Sequence, residues 1–363
     1  MTFRGKIPSI LIYTITIAVL IGIILFIGVQ TLIQYFNTLD LGGIFTLLIL
    51  LILLYVIDML IRIYRWQILL MVQGVELPLR SLTFPVVSAL AINLFTIARA
   101  GETIRMYTLK RNYDTKYSDT LSSIVIEQVL SIIGLLFVIT GSLFFVGSSL
   151  LQIENSEIIL QLVVIVFLSS VICLILLSLM MYKPQIIENI IQIFPLFFKK
   201  RLQSAYQAFQ TGLKGLREKP IHLTLGIITS VSIWVIEGIM IYVIAFTVFL
   251  FYGKTLTPMD LPWMIAASCA GNITFIIPIL PGAVGEYEVV LALVLVNSPN
   301  YPGHGGTLIA IVDRLAKSIM LGLFGGYATL RLGGKEVIRL RKDFFSDSKE
   351  QNEVLQEKVI DAR

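Results

Sequence analysis

Six charged side chains lie in or near long apolar stretches, where an ionised group needs a partner or water. They are Asp58, Glu127, Glu237, Asp313, Arg314 and Lys317. Each would cost about 2.5–3.5 kcal/mol at the centre of a bilayer, so the group as a whole must be paired or hydrated. It therefore either forms internal salt bridges that lock the protein together or lines a polar path. Asp58 lies near the end of its apolar stretch, and we expect it at the membrane interface.

The last apolar stretch carries three of these charges. Asp313 and Lys317 are four residues apart, so one helical face brings them together. Arg314 points away from that face and needs a partner from another segment. Glu127 and Glu237 are the candidates for this pairing.

Two glycine-containing turns carry the remaining candidate residues. In the first, Arg99, Glu102 and Arg105 recur at every third position around Gly101, and a helix would align them on one face. A helix amino terminus and neighbouring arginines both attract anions. This turn therefore suits a phosphate group.

The second turn combines prolines, glycines and carboxylates: Pro278, Pro281, Gly282, Gly285, Glu286 and Glu288. Its prolines remove backbone donors and break the helix, and its glycines let backbones approach closely. We expect the two turns, around Gly101 and Gly285, to face each other and form one polar cavity open to one leaflet. The side chains expected to line this cavity, with Arg314 behind them, are Arg99, Arg105, Glu286 and Glu288.

Cofactor and metal chemistry have little support in the sequence. The two cysteines, Cys173 and Cys269, lie in apolar runs without CxxC spacing, and the two histidines, His222 and His304, are isolated. A GxxxxGK(S/T) nucleotide motif is absent, and the basic clusters do not resemble a nucleic-acid-binding motif. We expect no cofactor, no metal ion and no nucleic-acid partner.

The elements that must position these residues are membrane helices. Hydrophobic residues make up 56% of the 363 residues and charged residues only 14%, whereas soluble domains average about 25% charged. A helix crosses the ~30 Å hydrocarbon core with about 20 apolar residues. Six stretches are long enough to do so: 8–29, 41–61, 120–146, 158–182, 222–251 and 307–330. The first is too long for a signal-peptide core, and we interpret it as a retained anchor.

Two shorter apolar stretches, 82–97 and 262–280, are predicted to be re-entrant helical segments. If 82–97 crossed fully, the basic cluster from Arg99 to Lys116 would lie outside, against the positive-inside rule. With both segments re-entrant, all but three of the 28 Lys and Arg residues are cytoplasmic. The protein is therefore predicted to be multi-pass in the cell (plasma) membrane, with both termini cytoplasmic.

The order of elements suggests two related halves, 1–147 and 148–334. Each half is predicted to contain a span, a span, a re-entrant segment and a span, and the halves start on opposite sides. This is the pattern of a three-plus-three inverted repeat, common in secondary transporters. The ends of the two re-entrant segments are similar, Ala98-Arg99-Ala100-Gly101-Glu102 and Gly282-Ala283-Val284-Gly285-Glu286; the alternative is that this similarity arises by chance, since Gly and Ala are abundant. The predicted fold class is an all-α polytopic membrane protein with about six full spans and two re-entrant segments. A charged cytoplasmic tail at 335–363 is predicted to be disordered.

One segment between spans has an amphipathic pattern. Residues 199–217 place several apolar side chains on one helical face: Leu202, Ala205, Tyr206, Phe209, Leu213 and Leu216. A basic amphipathic helix lying on the anionic inner leaflet fits this pattern. A solvated linker helix is the alternative.

Three motifs resemble those of a known family. The first is Asn93…Arg99-Ala-Gly101-Glu102-Thr-Ile-Arg105, the second Pro278-x-x-Pro281-Gly282-x-x-Gly285-x-x-Glu288 and the third Ala310-x-x-x-Arg314. Together they resemble the flippase-like integral membrane proteins related to the membrane domain of bacterial lysylphosphatidylglycerol synthase. The resemblance covers nearly the whole chain. The sequence departs from it at Ile97, where the family has Pro, and at Glu127-Gln128-x-x-Ser131, where the family has Glu-Arg-x-x-Asp.

The resemblance implies movement of a lipid between leaflets, or service to an enzyme that modifies lipids. We therefore predict a flippase or transporter for a lipid or lipid-linked sugar. Its partners would be membrane lipids, either an anionic phospholipid or a polyprenyl phosphate. The residues predicted to bind the phosphate-bearing substrate are Arg99, Glu102, Arg105, Glu127, Glu237, Pro281, Gly282, Gly285, Glu286, Glu288 and Arg314.

Two other classes of function stay open. A membrane glycosyltransferase, or an accessory subunit using polyprenyl-phosphate sugars, would employ Glu102 as a base beside Arg99 and Arg105. A small-solute transporter is the third class. No aminoacyl-transferase domain follows the membrane domain in this sequence, so the resemblance does not imply lysylphosphatidylglycerol synthesis. Enzymatic activity and self-association into a homo-oligomer are left open.

Overall fold

The computed structural model describes residues 22, 29–38, 41–96, 100–150, 212–275, 280–296 and 305–332, and isolated positions between 164 and 210. Most of the predicted spans at 8–29 and 158–182 lie outside these residues, as does the tail at 335–363. Arg99 lies outside them as well.

Every regular element in these ranges is helical. In chain order the α-helices α1 to α10 are Val29–Thr38, Leu41–Val72, Leu79–Phe95, Gly101–Tyr113, Tyr117–Leu150, Pro220–Phe251, Leu261–Ile273, Glu286–Val296, Gly305–Met320 and Gly326–Arg331. Short 3₁₀ turns occur at Pro258–Asp260 and Pro281–Ala283, and a π turn at Leu321–Gly325 joins α9 to α10.

Three helices, α2, α5 and α6, are long and apolar enough to cross a membrane. At 1.5 Å per residue each exceeds the ~30 Å hydrocarbon core by roughly 15 Å or more, so their ends extend beyond it or the helices tilt. They pack against one another and form the frame of the bundle. These elements agree with the prediction of an all-helical membrane protein, whereas the number of spans and the inverted repeat stay predictions.

Helix α2 is longer than the sequence predicted. The predicted span ended at 61, but the helix continues to Val72, so Arg62 and Arg65 lie inside it. Asp58, expected at the membrane interface, is the eighteenth residue of this 32-residue helix and only 3% exposed, and its depth in a membrane stays a prediction. The predicted boundary was wrong because charged residues on successive helical turns, here Asp58, Arg62 and Arg65, resemble a loop when their partners are unknown.

Helices α3 and α7 correspond to the two segments predicted to be re-entrant. They contain 17 and 13 residues, which span roughly 26 Å and 20 Å, less than the ~30 Å core. Chain reversal after α3 depends on Gly101, since a Cβ there would lie 2.1 Å from the Ala89 carbonyl oxygen. The Asn93 amide oxygen accepts a hydrogen bond from the Gly101 N–H at 2.8 Å. Whether either helix re-enters on one side of a membrane stays a prediction.

The end of α3 meets the turn that follows α7. Gly282, in the 3₁₀ turn that follows α7, has a φ of +62°, and a Cβ there would lie 2.3 Å from the Leu94 carbonyl oxygen. Only glycine combines this backbone conformation with so close an approach. The turns around Gly101 and Gly285 were predicted to face each other; the contact found joins Leu94 of α3 to Gly282 instead.

The structure corrects the prediction for the amphipathic segment 199–217 in the part that it describes. Residues 212–218 are helical, and Leu213 and Leu216 are 3% and 1% exposed. They pack with Val72 of α2 and Ile126 of α5. These two apolar side chains therefore face the bundle, whereas their periodicity predicted a position on the inner leaflet. The prediction was wrong for these residues because an amphipathic pattern alone does not distinguish a protein surface from a lipid surface.

Candidate functional site

A cavity of about 170 Å³ lies where the ends of α3 and α7 meet the middle of α2, α6 and α9. We call it the ion-paired cavity. Its polar lining residues are Tyr55, Asp58, Arg62, Asn93, Thr96, Glu237, Asn272, Tyr287, Asp313, Arg314 and Lys317. Its apolar lining residues include Met59, Leu90, Leu94, Trp234, Met240, Phe275 and Leu321.

Arg62 is the first centre of the ion pairs. Its position four residues after Asp58 puts both side chains on the same face of α2, and its Nε donates to Asp58 Oδ2 at 2.7 Å. Its Nη2 donates to Glu237 Oε1 of α6 at 2.5 Å. One guanidinium thus holds carboxylates from two helices, using the fork geometry that arginine offers.

Glu237 is the second centre. Its Oε2 accepts from Asn272 Nδ2 of α7 at 2.9 Å and from Lys317 Nζ of α9 at 3.2 Å. Together with Arg62, these contacts connect four helices through one carboxylate. Glu237 is 8% exposed, so such full pairing is what burial of a carboxylate requires.

Lys317 closes the network on α9. Its Nζ lies 3.1 Å from Asp313 Oδ2, so the pairing predicted from their spacing is confirmed. The Tyr287 hydroxyl of α8 donates to the same Asp313 oxygen at 2.7 Å. It also lies 3.3 Å from Lys317 Nζ.

Arg314 has a different partner from the two predicted. Its Nε donates to Glu288 of α8, and its two terminal nitrogens each donate, at 3.1 Å, to the Gly282 and Ala283 carbonyl oxygens. The prediction of Glu127 or Glu237 was wrong because Glu288 was assigned to the turn itself. Glu288 also accepts from the Gly285 N–H at 2.7 Å, so the pair fixes the second turn onto α9.

The charges of the ion-paired cavity do not balance. Asp58, Glu237 and Asp313 line it together with the cations Arg62, Arg314 and Lys317. Adding Glu288, which binds Arg314, leaves one more carboxylate than cations among the described residues around it. An anionic group entering the cavity would have to displace a carboxylate from its cation.

Two buried polar atoms in this cavity, a carboxylate acceptor and a hydroxyl that can accept or donate, are unused. Asp58 Oδ1 and the Tyr55 hydroxyl have no hydrogen-bond partner within the described part of the chain. The residues are 3% and 5% exposed and lie one turn apart on α2. A buried polar atom without a partner is costly, so these atoms are suited to a ligand that brings hydrogen-bond donors.

A second ion network lies beside the cavity and does not line it. Glu127 of α5 binds Arg65 Nη2 at 2.9 Å and Arg105 Nη2 at 2.6 Å. Arg105 also pairs with Glu102 at 2.8 Å, and its guanidinium lies 4.0 Å from the centre of the Trp66 ring. Since carboxylates and an aromatic face already surround it, Arg105 stabilises the packing of α2, α4 and α5.

The predicted site residues are thus divided among three places. Glu237, Gly282 and Arg314 line the cavity, and Glu102 is one hydrogen bond from it through Asn93 at 3.3 Å. Arg105, Glu127, Gly285, Glu286 and Glu288 hold neighbouring structure and are absent from the lining. Their part in binding a substrate stays a prediction, as it does for Pro281 and for Arg99, which is outside the described residues.

Sequence reasoning missed the contribution of α2. Tyr55, Asp58 and Arg62 follow the three- and four-residue spacing of one helical stripe, a signal that was present once α2 was allowed to continue past 61. Asn93 and Asn272, noticeable as amides within apolar segments, hold the ends of α3 and α7. Among the described residues no group of His, Cys, Asp and Glu is arranged to hold a metal ion.

Comparison with known proteins gives two matches. The family model of the lysylphosphatidylglycerol synthase TM region matches residues 12–325. A UPF0104 membrane protein from Methanocaldococcus jannaschii is 24% identical over 234 residues, which cover 64% of this chain and 91% of that protein. No solved structure matches the chain.

Proposed function

Because the chain belongs to the family of lysylphosphatidylglycerol synthase transmembrane regions, we propose that it moves a phosphate-bearing membrane lipid between leaflets. The headgroup would pass through the ion-paired cavity while the tails stay in hydrocarbon. The family supports a role connected with membrane lipids, and the cavity supplies the polar route that such a role needs.

The position of the cavity is the observation that carries the proposal. Asp58 and Glu237 are each the eighteenth residue of a 32-residue helix, so both lie near the middle of a helix long enough to cross a membrane. If these helices cross a bilayer, ionised groups at this depth are costly and mark a functional site by default. A lipid headgroup is the polar group that has to cross this depth.

The contacts suggest how a headgroup is exchanged. Arg62 and Lys317 share Glu237 as an acceptor, so a phosphate binding to both cations would take the place of that carboxylate. Donors elsewhere in the headgroup, such as an ammonium or a hydroxyl, would bind the unused Asp58 Oδ1 and Tyr55 hydroxyl. Restoration of the ion pairs to Glu237 would then release the headgroup.

Reconstitution tests the proposal directly. The purified chain is placed in vesicles containing a fluorescent phospholipid, and quenching by external dithionite reports lipid that reaches the outer leaflet. We expect quenching to approach completion with protein and to stop at the outer leaflet without it. Lys317→Gln should slow the exchange about tenfold or more, because a charge-assisted hydrogen bond contributes about 1.5–3 kcal/mol.

A matched substitution controls for loss of a lysine charge. Lys110 is 41% exposed in its side chain and pairs only with the exposed Asp114 among the ion pairs of the described residues, so Lys110→Gln should leave the exchange rate unchanged. Complete quenching by Lys317→Gln at the wild-type rate would contradict the cavity as the route. Quenching that stops at the outer leaflet for the wild-type chain, across anionic and zwitterionic lipids, would refute translocation.

A further inference from the structure

An apolar groove of about 280 Å³ lies beside the ion-paired cavity, between α2, α3 and the helix formed by the π turn and α10. Its floor is buried, with Ile63, Val87 and Ala328 at 2%, 7% and 2% exposure. Leu60 and Phe324 at its rim are 57% and 43% exposed. The groove therefore opens on the outer surface of the bundle.

The groove and the ion-paired cavity share one wall. Tyr55 and Met59 of α2 line both. On the other side the π turn contributes Leu321 to the cavity and Phe324 to the groove. π turns frequently occur at functional sites because they redirect side chains within a helix. Here the turn directs Leu321 to the polar cavity and Phe324, three residues later, to the apolar groove.

We propose that this groove holds a hydrocarbon tail of the same lipid whose headgroup enters the ion-paired cavity, an inference that rests on the proposed function. An amphiphile has a polar group covalently joined to an apolar chain, which is the arrangement of the two spaces across Tyr55 and Met59. A tail moves from bilayer to groove without a large penalty, since lipid tails are as apolar as leucine side chains. The groove therefore aligns the lipid, and the cavity supplies its affinity.

The shared wall selects a tail over a helix. Tyr55 and Met59 join the groove to the ion-paired cavity, so an occupant that is apolar in one space and polar in the other matches both. A lipid has this form within one molecule, whereas an apolar helix from a partner or from a second copy of the chain would match only the groove.

Photo-crosslinking tests the location of the tail. A phospholipid carrying a diazirine in the middle of one acyl chain is irradiated with the full-length protein, and the labelled residues are identified by mass spectrometry. We expect labelling of Leu60 and Phe324 to exceed that of Phe144 and Phe145, which are 81% and 75% exposed on α5 and report ordinary surrounding lipid.

A filled groove should exclude the tail. Val56 lines the groove and Ile57 lines neither space, yet both are 38% exposed on α2. Val56→Trp should remove the excess groove labelling and slow lipid exchange severalfold, while Ile57→Trp should do neither. If Val56→Trp does not fold, Leu60→Trp repeats the test from the exposed rim.

The outcomes separate this inference from the proposed function. Groove labelling no stronger than at Phe144, or unchanged in Val56→Trp, would overturn the tail site while lipid exchange could still be intact. Specific groove labelling in a wild-type chain that exchanges no lipid would support the tail site and refute translocation. Loss of labelling in Val56→Trp with exchange at the wild-type rate would overturn the link between the groove and the cavity.

Discussion

At the scale of single residues, burial makes the ion pairs depend on one another. Arg314 is 8% exposed and Glu288 is 1% exposed, so neither has water to replace a lost partner. A buried pair of this kind contributes little net stability, but its half-removal leaves an uncompensated charge. The consequence is that single substitutions here should be more damaging than double ones.

Arg314→Ala should therefore destabilise the protein by about 3–5 kcal/mol, the usual range for breaking a buried pair from one side. The reason is that Glu288 would lose its guanidinium partner and retain, within the described part of the chain, the Gly285 N–H as its donor. Unfolding by denaturant in detergent, followed by tryptophan fluorescence, measures the change in free energy of unfolding.

A double-mutant cycle identifies the carboxylate that pairs with Arg314. Adding Glu288→Gln to Arg314→Ala should recover part of the lost stability, whereas adding Glu127→Gln should give an additive loss, because Glu127 binds Arg65 and Arg105 instead. Coupling of Arg314 to Glu127, with none to Glu288, would contradict the observed pairing.

The sequence predicted that buried charges need partners, but it could not identify most of them. The Asp313–Lys317 pair was predictable because helix geometry alone brings residues four apart together. The partner of Arg314 depended on which turn packs on α9, a tertiary fact. Arg62 and Arg65 were missed because charge near a span end is ordinarily evidence for a loop.

At the scale of elements, the contact between the α3 end and the turn after α7 sets the shape of the cavity. Gly282 lies in that contact and also lines the cavity. Its neighbour Ala283 has a positive φ of 50° and is fully buried, so the turn holds two successive residues in the left-handed region. Arg314 binds the carbonyl oxygens of both, which stabilises this conformation.

Gly282→Ala should destabilise the protein by more than the cost of placing an alanine in the left-handed backbone conformation. The added Cβ would meet the Leu94 carbonyl oxygen at 2.3 Å, so the end of α3 and the turn after α7 must separate. Gly253→Ala is the matched control: its φ of +65° is similar, but a Cβ there meets nothing within 4 Å. We expect about 1–2 kcal/mol of strain for Gly253→Ala and a clearly larger loss for Gly282→Ala.

Thermal unfolding and lipid exchange measure the two effects together. Gly282→Ala should lower both the melting temperature and the exchange rate, and Gly253→Ala only the melting temperature. Equal losses of stability in the two variants would show that the Leu94 contact adds nothing to the conformational preference.

The positions of the two short helices in the chain were predictable, but the residues that they contact were not. The stretches 82–97 and 262–280 correspond to α3 and α7, since prolines and glycines mark their ends. That Arg105 would bind two carboxylates and lie over Trp66 was not predictable. Its spacing from Glu102 and Arg99 indicated a shared helical face, and only packing determines what that face meets.

At the scale of the whole molecule, three helices fix which loops share a side. Lys219, just before α6, donates from Nζ to the Met71 carbonyl oxygen at 3.1 Å, so the end of α2 and the start of α6 lie together. The far end of α6 is followed by Met259, which is 85% exposed. The start of α5 lies at the same end as these two, because Trp66 Nε1 near the end of α2 donates to Ser123 Oγ at 3.1 Å. If α6 spans the bilayer, Asp114, just before α5, and Met259 are on opposite sides, with Asp114 predicted to be cytoplasmic.

Cysteine labelling in intact cells tests this orientation. After replacement of the two native cysteines, Asp114→Cys should resist a membrane-impermeant maleimide until the cells are opened, and Met259→Cys should react at once. Positions near Lys110 and Lys214 should behave like Asp114, and positions in 297–306 like Met259. External labelling at Asp114→Cys would refute the re-entrant interpretation of 82–97.

Composition alone predicted that the chain is a membrane protein. It could not predict which apolar side chains contact lipid and which contact other helices. A chain with 14% charged residues has to bury its apolar faces in lipid or in itself. Which of these applies is decided residue by residue: Leu213 and Leu216 cover α2 and α5, although their periodicity suited a membrane surface equally well.

The charges within α2 also constrain the order in which the protein is made. Arg65 meets Glu127 62 residues later in the chain, and Arg62 meets Glu237 175 residues later. At about 5–20 residues per second, the ribosome reaches Glu127 about 3–12 s after Arg65. During that interval Arg62 already has Asp58 on its own helix, but Arg65 still awaits its carboxylate.

Insertion and packing are therefore separate events for this helix. Arg65 has to remain hydrated, within the insertion machinery or at the membrane surface, until α5 emerges and neutralises it. The cavity is completed later still, because Lys317 and Arg314 arrive only with α9. A nascent chain halted before α9 would leave Glu237 and Glu288 without the α9 cations that pair with them in the complete protein, and its polar interior would face lipid or water.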